Sequence, residues 1–511
     1  MIDSNRIFTK EQVETLLKDT IGKTLLQVDK AKLFEHHEGR EKVKGIAGDI
    51  IEESVLGCKK DSKQEPDILV DGVLTEIKTT GMVKPKKKDS PYLFECKEPV
   101  SITAVSIPII VSEEFESSSF WHKLAHMLWV YYWYNSPVPV TLEGYKDFPI
   151  LGFHFYEFSA EDKLRLKEDW LIVRDFLIVI HREYPIQSDR EKQYPRLSHE
   201  LRSKLMLIDT APKYPNNPRF RLKRSFATVI ANNYFTGGNL MKLNQPITKY
   251  DDIDSKCEAL NKEYGGKSFA EIAEKLGVVI GGAFSKAKRR VQDDDDHKKI
   301  PVKNFSELVV LKMFGCESGK LNNIEDFVKI GLIAKSLPLD YNDTPKESMK
   351  LFTPNFDEWI KEESFEDSYL YDYFSEHQLL LIVYKYTDRY RRDPESIKFV
   401  GFKRVIIPES FIQTGVKRFW EEVRSLIIEK RFKVEKKFRK DGTPILNPVS
   451  GNQSEKTNFP KEAGSDIFMR GSASLTRDED KTLAINGFRM IPQEVWLSKR
   501  ATYSLYLNQK S

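Results

Sequence analysis

Hydrophobic and polar residues alternate between residues 65 and 78, and this pattern predicts a β-hairpin. The stretch reads EPDILVDGVLTEIK, and its central Asp71-Gly72 pair favours a type I′ turn because both turn positions need a positive φ. Pairing outward from that turn sets Asp67 opposite Glu76 and directs Lys78 to the same face. The opposite, apolar face is formed by Ile68, Val70, Val73, Thr75 and Ile77.

Helical periodicity precedes the hairpin. Thr9 and Gln12 form a capping box that predicts a first helix, and KGIAGDIIEESVL at residues 44–56 predicts a second. Lys44, Gly48 and Glu52 recur along one stripe of that second helix. A solvent face and a functional face both fit the stripe, and the hairpin that follows shortly afterwards favours the functional face.

Strands and helices intermix after the hairpin. The pattern predicts an apolar run at residues 100–111, an aromatic-rich helix at 120–134, a strand at 150–158 and a helix that begins near Ser159. A strand at 204–209 precedes RFRLKRSFATVIANNYF, a basic turn that continues as a helix. This mixture predicts an α/β or α+β fold. The aromatic side chains of the predicted 120–134 helix are expected in the core, and they are Trp121, Trp129, Tyr131, Tyr132 and Trp133.

The second half of the chain repeats landmarks of the first half in the same order. EDFVKIGLIAK at residues 325–335 resembles the hairpin, VKRFWEEVRSLII at 416–428 matches 166–178, and WLSKR at 496–500 matches 220–224. These matches predict a catalytic domain at residues 1–245 and a second copy at 301–511. A helical linker is expected at 246–300, and a helix-turn-helix within it stays open as an alternative.

The second copy lacks the charged trio of the hairpin. Aligning Gly331 with Gly72 puts Lys335 at the position of Glu76, whereas a shift of two residues puts Ile333 there and Lys335 at the position of Lys78. Neither register restores an acid followed two residues later by lysine. The second copy is therefore expected to bind or regulate, and not to cut.

Composition sets the protein class. A chain of 511 residues with 40% hydrophobic and 31% charged residues is expected to fold as two or more globular domains. It has no apolar run of membrane-spanning length and no signal peptide core at its start, which predicts a cytoplasmic protein. Its four separated cysteines indicate neither a zinc site nor disulfides. A net charge of +4 means that any DNA affinity must come from local basic patches.

The hairpin charges suggest metal-dependent chemistry. Two adjacent carboxylates repel each other unless a cation lies between them, and hard oxygen ligands select Mg²⁺. Lys78 is then placed to hold or deprotonate a water molecule and to stabilise charge on a phosphorane. A solvated charged face is the competing interpretation. Lys86 and Lys87 just beyond the hairpin fit either a phosphate-gripping loop or a solubilising one.

The ordered motifs KGIAGDIIEESVLG, EPDILVDGVLTEIKT, HKLAHMLW, LKEDW and RFRLKRSFATVIANNYF resemble the MutH and Sau-type endonucleases. These enzymes are the branch of the PD-(D/E)XK nucleases that acts at GATC. The resemblance covers about residues 10–240, and the two-copy layout is similar to the GATC-specific type II restriction enzymes. It implies a restriction-endonuclease-like α/β core that is present twice, as two MutH-like domains.

The resemblance also implies roles for individual residues. Asp67 and Glu76 are the implied metal carboxylates with Glu52 in support, Lys78 is the implied catalytic lysine, and Lys44 lies near them. The implied DNA contacts are Arg221, Lys223 and Arg224 in the basic turn. The strand that ends in LMLIDTAPKY departs from the basic pattern of MutH, and Lys213 is the candidate base-reading residue there. The candidate DNA contacts of the second copy are Arg470, Lys499 and Arg500. MutH has a tyrosine associated with sensing adenine methylation where this chain has Arg221, so the resemblance favours a restriction enzyme over a hemimethylation-dependent nickase.

The expected reaction is Mg²⁺-dependent double-strand cleavage of DNA at GATC that leaves 5′-phosphate ends. By resemblance, the second copy binds another GATC site and promotes cleavage by the first copy. The expected state is a monomer that dimerises or loops DNA when bound, without a membrane partner. A mismatch-repair nickase and a non-catalytic DNA-binding protein are the alternatives.

Overall fold

The computed structural model describes residues 4–40, 43, 45–58, 65–85, 90–136, 139–212, 214–278, 302–389, 393–447, 450–472 and 477–508. The chain divides into two units. The first consists of Met1–Leu240, Pro246–Tyr250 and Val328–Gly331, and the second of Met241–Gln245, Asp251–Phe327 and Leu332–Ser511. Within the described ranges, no helix is both long enough and apolar enough to cross a membrane.

The first unit combines two sheets with short and long helices. Its strands are β1 (Ile7–Phe8), β2 (Ile68–Val70), β3 (Val73–Val83), β4 (Glu95–Cys96), β5 (Val100–Ala104), β6 (Met127–Trp133), β7 (Ile150–Tyr156), β8 (Ile208–Ala211) and β9 (Arg219–Leu222). Its helices are α1 (Lys10–Lys18), α2 (Leu25–Val28), α3 (Leu33–His36), α4 (Ile46–Asp49), α5 (Ile107–Ile110), α6 (Ser119–Leu124), α7 (Leu142–Tyr145), α8 (Ala160–Glu183), α9 (Gln187–Glu191), α10 (Arg196–Glu200) and α11 (Arg224–Thr236). A π-helix at Ile50–Val55 continues α4.

The larger sheet of the first unit has the order β1-β2-β3-β6-β7, and β4 pairs with the end of β3. Strand β3 runs parallel to β6, and β6 runs antiparallel to β7. A smaller sheet has the order β5-β9-β8. One face of the larger sheet packs against α4 and the π-helix through a core that includes Ile50, Ile51, Ile77, Leu128 and Val130. This packing holds β3 at the centre of the unit.

The hairpin forms with the predicted register. Ile68 pairs with Thr75, Leu69 with Leu74 and Val70 with Val73, and φ is 46° at Asp71 and 85° at Gly72. The apolar face is smaller than predicted, because Val73 beside the turn is 40% exposed.

The predicted helix at residues 120–134 is wrong. Helix α6 ends at Leu124 and the chain then forms the central strand β6, in which Trp129 and Tyr131 are fully buried. A strand that is covered on both faces has a continuous apolar run, so periodicity alone does not distinguish it from a buried helix. Trp129 and Tyr131 are core residues as predicted, whereas Trp121, Tyr132 and Trp133 are half-buried.

The second unit has a similar composition of elements. Its strands are β10 (Leu332–Leu339), β11 (Met349–Phe352), β12 (Gln378–Tyr386), β13 (Ile397–Val405), β14 (Val434–Lys436), β15 (Glu455–Thr457), β16 (Ile467–Gly471), β17 (Leu483–Ile485), β18 (Phe488–Met490) and β19 (Gln493–Leu497). Its helices are α12 (Tyr250–Tyr264), α13 (Phe269–Lys275), α14 (Val302–Met313), α15 (Glu325–Lys329), α16 (Phe356–Trp359), α17 (Tyr369–Glu376), α18 (Glu409–Phe411), α19 (Lys417–Ile428) and α20 (Lys499–Asn508). Tyr250 and the last residues of α15 belong to the first unit.

The two units share one topology. In the second unit β10 runs parallel to β12 and β12 antiparallel to β13, as β3, β6 and β7 do in the first unit. The sheet β11-β19-β16 matches β5-β9-β8, and a C-terminal helix follows in each unit. The predicted mixed α/β fold with a duplicated core is thus confirmed.

Matching side-chain contacts accompany the shared topology. Ser118 and Ser368 each cap the helix that precedes the central strand, and each hydroxyl donates to the carbonyl of a phenylalanine three residues earlier. Phe115 lies 5.9 Å from Trp170 between ring centroids, and Phe365 lies 5.7 Å from Trp420. These matches support the predicted alignment of residues 416–428 with 166–178.

Two details of the repeat differ from the sequence-based expectation. The segment at 325–335 forms helix α15 followed by strand β10, and not a hairpin. Residues 251–278 belong to the second unit, where the side chain of Asn261 exchanges hydrogen bonds with the backbone of Phe402 on β13. The described part of the expected linker is therefore packed structure.

Candidate active site

The hairpin brings Asp67 beside Glu76, as predicted. The Asp67 carboxylate accepts a hydrogen bond from the Ile77 backbone N–H through Oδ2 at 2.8 Å. The backbone carbonyl of Asp67 accepts a second hydrogen bond from Arg6 Nη1 at 2.6 Å. The foot of β2 is therefore fixed against β3, with its carboxylate next to Glu76.

Glu76 lies between two lysines. It is 2% exposed, and its Oε1 lies 2.5 Å from Lys78 Nζ while its Oε2 lies 2.8 Å from Lys123 Nζ. Lys123 also donates to the Glu65 carbonyl at 3.1 Å. A buried carboxylate needs such partners because desolvation of an isolated charge is costly.

Sequence reasoning missed Lys123. The signal lay in its position on α6, because Lys123 is buried beside Leu124 on the inner side of a short helix. A lysine among core positions of a helix usually has an acidic partner inside the protein. The wrong helix at 120–134 obscured that inner face.

Burial raises the pKa of Glu52 to about 7, and the negative charge of Asp67 adds to the shift. Burial also raises the pKa of Asp67, with a further contribution from Glu76. Glu52 lies on the π-helix, a local feature that often occurs at functional sites. Both shifts show that burial disfavours the charged forms of these two acids, and the neighbouring carboxylates add to that effect.

The carboxylate oxygens of Asp67, Glu76 and Glu52 fit the donor preference of a hard divalent cation such as Mg²⁺, and such a cation would stabilise their charged forms against the cost of burial. In the part of the chain that the structure describes, no group of three His, Cys, Asp or Glu residues is arranged to hold a metal ion. Both oxygens of Glu76 face lysines instead. The predicted set of three metal ligands therefore stays a prediction.

Four predicted site residues lie outside the described residues. They are Lys44 from the predicted catalytic set, Lys86 and Lys87 from the segment that follows the hairpin in sequence, and Lys213 from the expected DNA contacts.

In the predicted DNA-facing turn, Arg221 and Arg224 are partly exposed and Lys223 is buried. Arg221 on β9 is partly exposed and forms a two-armed ion pair with Asp209 on β8, through Nε at 2.7 Å and Nη2 at 2.8 Å. Arg224 begins α11 and is partly buried. The prediction for Lys223 is wrong, because its ammonium group is buried and donates to the Leu205 carbonyl at 2.5 Å.

Two histidines on the expected 120–134 helix are separated by the real fold. His122 lies on α6, whereas His126 follows the helix and contacts Glu157 through Nδ1 at 3.0 Å. They therefore do not share a helix face. The four cysteines are free and buried, as predicted.

The strand registers show which residues of the second unit occupy the positions of Glu76 and Lys78. The pairing of β6 with β7 shifts register just after Tyr131, which lies opposite Gly152. The pairing of β12 with β13 shifts in the same way just after Val383, which lies opposite Gly401. Superimposing these two shifts makes Leu379 equivalent to Met127. Glu76 pairs with Met127, and Ile333 pairs with Leu379.

The same comparison makes Lys335 equivalent to Lys78. The structure thus selects the register in which the acid is lost and the lysine is kept. Lys335 Nζ donates to the Lys350 carbonyl at 2.6 Å. The second unit therefore lacks the acid and lysine pair at this position.

The C-terminal turn of the second unit is displaced by one residue from its expected alignment. Leu222 pairs with Ile208 and Leu497 with Ile467, so Trp496 replaces Arg221 and Lys499 replaces Arg224. The candidate DNA contacts Arg470, Lys499 and Arg500 are all exposed. Arg470 lies over the Trp496 ring at 5.1 Å, and Arg500 pairs with Asp466 at 2.8 Å.

Comparisons with known proteins agree with the expected resemblance. Residues 56–169 match the family model described as DNA mismatch repair enzyme MutH. The chain is also 25% identical over 464 residues to the type II restriction enzyme Sau3AI of Staphylococcus aureus, across 86% of this chain and 84% of that enzyme. The MutH range includes Asp67, Glu76, Lys78 and Lys123. The predicted resemblance to the MutH and Sau-type endonucleases is confirmed.

Proposed function

Since the chain carries a nuclease domain of the MutH and Sau type, we propose that it is a type II restriction endonuclease that cuts both strands of DNA at GATC with Mg²⁺ as cofactor. The observation that carries this proposal is the buried Glu76 carboxylate, which lies between Lys78 and Lys123 and beside Asp67. This arrangement combines acids that suit a cation with lysines that suit a phosphate and a water molecule.

Each side chain has a distinct part in the proposed hydrolysis. Asp67, Glu76 and Glu52 would hold Mg²⁺, which neutralises charge on the phosphate and on the leaving oxygen. Lys78 Nζ orients the attacking water and moves its proton, and Lys123 Nζ holds Glu76 in place through a hydrogen bond to Oε2. The water attacks phosphorus in line with the leaving 3′ oxygen, which leaves a 5′-phosphate end.

A plasmid digest tests this function against both alternatives. Adenine-methylated and unmethylated plasmids are incubated with the purified chain, with Mg²⁺ or with EDTA. A ladder of GATC fragments that requires Mg²⁺ and disappears in the Glu76→Gln variant supports the proposal. Nicking that requires partner proteins would select the repair nickase, and the absence of cleavage would select a non-catalytic DNA-binding protein.

We also propose that the second unit binds another GATC site and stimulates the first unit, so that a monomer loops or pairs DNA. Support comes from its shared topology together with Ile333 in place of the catalytic acid. A deletion of residues 300–511 would remove Val328–Gly331, which belongs to the first unit. Substitutions of exposed residues are therefore the better test.

The second-site test compares plasmids that contain one or two GATC sites. The double variant Lys499→Glu and Arg500→Glu should lose the faster cleavage of the two-site plasmid and retain slow one-site cleavage. Equal rates on both plasmids for the unaltered chain would contradict the stimulation. A cytoplasmic location also stays a prediction.

A further inference from the structure

The second unit contains a basic β-structured arm, which we define as residues 430–447 and 450–461. It lies between α19 and β16, where the first unit instead has the short helices α9 and α10. The arm contains nine lysine or arginine residues and three acidic residues.

The arm is ordered by backbone hydrogen bonds. Strand β14 pairs with β15, and Lys437 continues the pairing by donating to the Ser454 carbonyl at 2.8 Å. Ser454 in turn donates to Ile445 at 2.7 Å, and Arg439 closes a tight turn by donating to Thr443 at 2.8 Å. The described part of the arm is therefore a hydrogen-bonded β-structure.

The base of the arm is anchored in the core of the second unit. Phe432 is buried and lies 4.6 Å from Phe459, which stacks on Phe356 at 5.4 Å. Asn458 exchanges hydrogen bonds with the backbone of Lys433 and Arg431 across the two strands. A fixed base holds the outer part of the arm in one position.

The outer part of the arm presents charges that have no acidic partner. Lys436, Lys437, Arg439 and Lys440 are exposed, and none of them forms an ion pair or side-chain hydrogen bond among the residues described by the structure. Beside them Phe438 is 57% exposed. Elsewhere in the arm Lys456 is paired with Glu435 at 3.2 Å, so local acids balance only part of the charge.

We propose that the basic β-structured arm binds the phosphate backbone of double-stranded DNA through Lys436, Lys437, Arg439 and Lys440. A two-stranded β-ribbon fits the major groove of B-form DNA, and lysine and arginine side chains neutralise phosphates. Phe438 adds an apolar contact beside these cations. The inference deepens the proposed restriction activity and rests on it for the choice of DNA as partner.

Binding is measured with the full chain in EDTA, which prevents metal-dependent cleavage, using fluorescence anisotropy of labelled duplexes with one GATC site or none. The variant carries Lys436→Gln, Lys437→Gln, Arg439→Gln and Lys440→Gln. Each lost phosphate contact should reduce the slope of log K against log salt concentration by about 0.9. We expect the slope to fall by about 3 to 4 and both duplexes to bind more weakly.

The matched control removes four exposed lysines of the first unit that are paired with nearby acids, with Lys18→Gln, Lys23→Gln, Lys32→Gln and Lys192→Gln. It changes net charge equally and should leave the slope close to that of the unaltered chain. A second arm variant replaces residues 438–453 with Asn-Gly, which preserves the pairing of β14 with β15 and removes Arg439 and Lys440. It should lower the slope by about 2, because two of the four proposed phosphate contacts are lost.

An unchanged slope in both arm variants would overturn the proposal, and so would an equal loss in the control. Binding of the unaltered chain to vesicles of phosphatidylserine, lost in the arm variants while DNA binding is retained, would assign the arm to lipid and also overturn it. Because these measurements require no cleavage, a chain that fails to cut GATC contradicts the proposed function without deciding the role of the arm.

Discussion

At the scale of single residues, the candidate site depends on one buried carboxylate that has a lysine on each oxygen. Lys78 approaches Glu76 from the same strand, whereas Lys123 reaches it from helix α6. The strand neighbour follows from the alternation of side chains and was predictable. The helix neighbour is distant in sequence, so no local pattern could identify its partner.

Replacing Lys123 with methionine should lower the cleavage rate by about a hundredfold. Loss of one ion-pair partner leaves Glu76 buried with a single cation and less firmly oriented. A hundredfold lower rate corresponds to about 3 kcal/mol of activation free energy. Single-turnover cleavage of a GATC duplex at saturating enzyme measures this rate. Lys123→Arg should recover part of it, which a merely space-filling role would not explain.

The control for Lys123→Met is Lys167→Met on α8. Lys167 pairs with the exposed Glu116 at 2.9 Å, so its loss should leave the cleavage rate within about twofold. Similar losses in both variants would contradict a specific role for Lys123.

His154 supplies a pH-dependent test at the same scale. It stacks on Tyr234 at 4.6 Å, and burial lowers its pKa from 6.5 to about 4. His154 therefore binds a proton near pH 6.5 in the unfolded chain but only near pH 4 in the folded chain. The contribution of His154 to the free energy of unfolding is therefore fully present above pH 6.5 and is lost as the pH falls towards 4. The loss is limited to about 2 kcal/mol, because the side chain is partly exposed.

Chemical denaturation between pH 7 and pH 4.5 measures this loss. The His154→Phe variant keeps the ring stack without a titrating group, so its stability should fall less over the same range. Parallel curves for the two proteins would contradict the assignment.

At the scale of elements, turn and capping chemistry was predictable and strand burial was not. Asp71-Gly72 set the hairpin register, and Ser159 capped α8 as the sequence indicated. The sequence pattern predicts a helix where strand β6 forms. Both faces of this strand are covered, so the alternation of polar and apolar residues that identifies a strand is absent. The pairing of β3 with β6 was therefore not predictable, although it positions Glu76 and Lys78.

Two equivalent helix caps allow a matched comparison. Ser118→Ala and Ser368→Ala each remove a buried hydroxyl that accepts from a helix N–H and donates to a carbonyl, so each should cost about 1 to 2 kcal/mol. Only α6 carries Lys123, so only Ser118→Ala should also slow cleavage of a one-site duplex. Denaturant unfolding and single-turnover rates measure the two effects, and equal slowing by both variants would contradict the link to Lys123.

At the scale of the whole molecule, the repeat in sequence identifies two units, yet their boundaries are not simple cuts in the chain. Val328–Gly331 comes late in the sequence and still belongs to the first unit. There Lys329 Nζ lies 2.8 Å from the buried Asp162, which also pairs with Arg165 at 2.6 Å. Ser225 donates to the Lys329 carbonyl at 3.1 Å. Because Asp162 and Lys329 are far apart in sequence, periodicity and motif spacing could not reveal this contact.

The contact predicts that the first unit is incomplete without residues 328–331. Replacing Lys329 with methionine in the full chain should destabilise the first unit by about 2 to 3 kcal/mol, because Asp162 stays buried with one fewer cation. Denaturant unfolding monitored by tryptophan fluorescence measures the loss. Lys385→Met, which removes an exposed pair with Asp343, serves as control and should cost less than about 1 kcal/mol.

Asp162→Asn removes the negative charge of the buried cluster and keeps the size of the side chain, so it distinguishes an effect of charge from an effect of packing. If Lys329 acts through Asp162, the double variant Lys329→Met and Asp162→Asn should be less destabilised than the sum of the two single variants, because the loss of the Lys329–Asp162 pair is then counted once. Arg165 loses the Asp162 charge in both Asp162→Asn variants, so its contribution cancels in the comparison. Additive losses would mean that Lys329 stabilises the unit by packing alone. A fragment that ends between residues 250 and 328 lacks the ion pair of Lys329 with Asp162. If such a fragment is inactive, the cause can be the destabilised first unit, so its inactivity is not evidence for a regulatory role of the second unit.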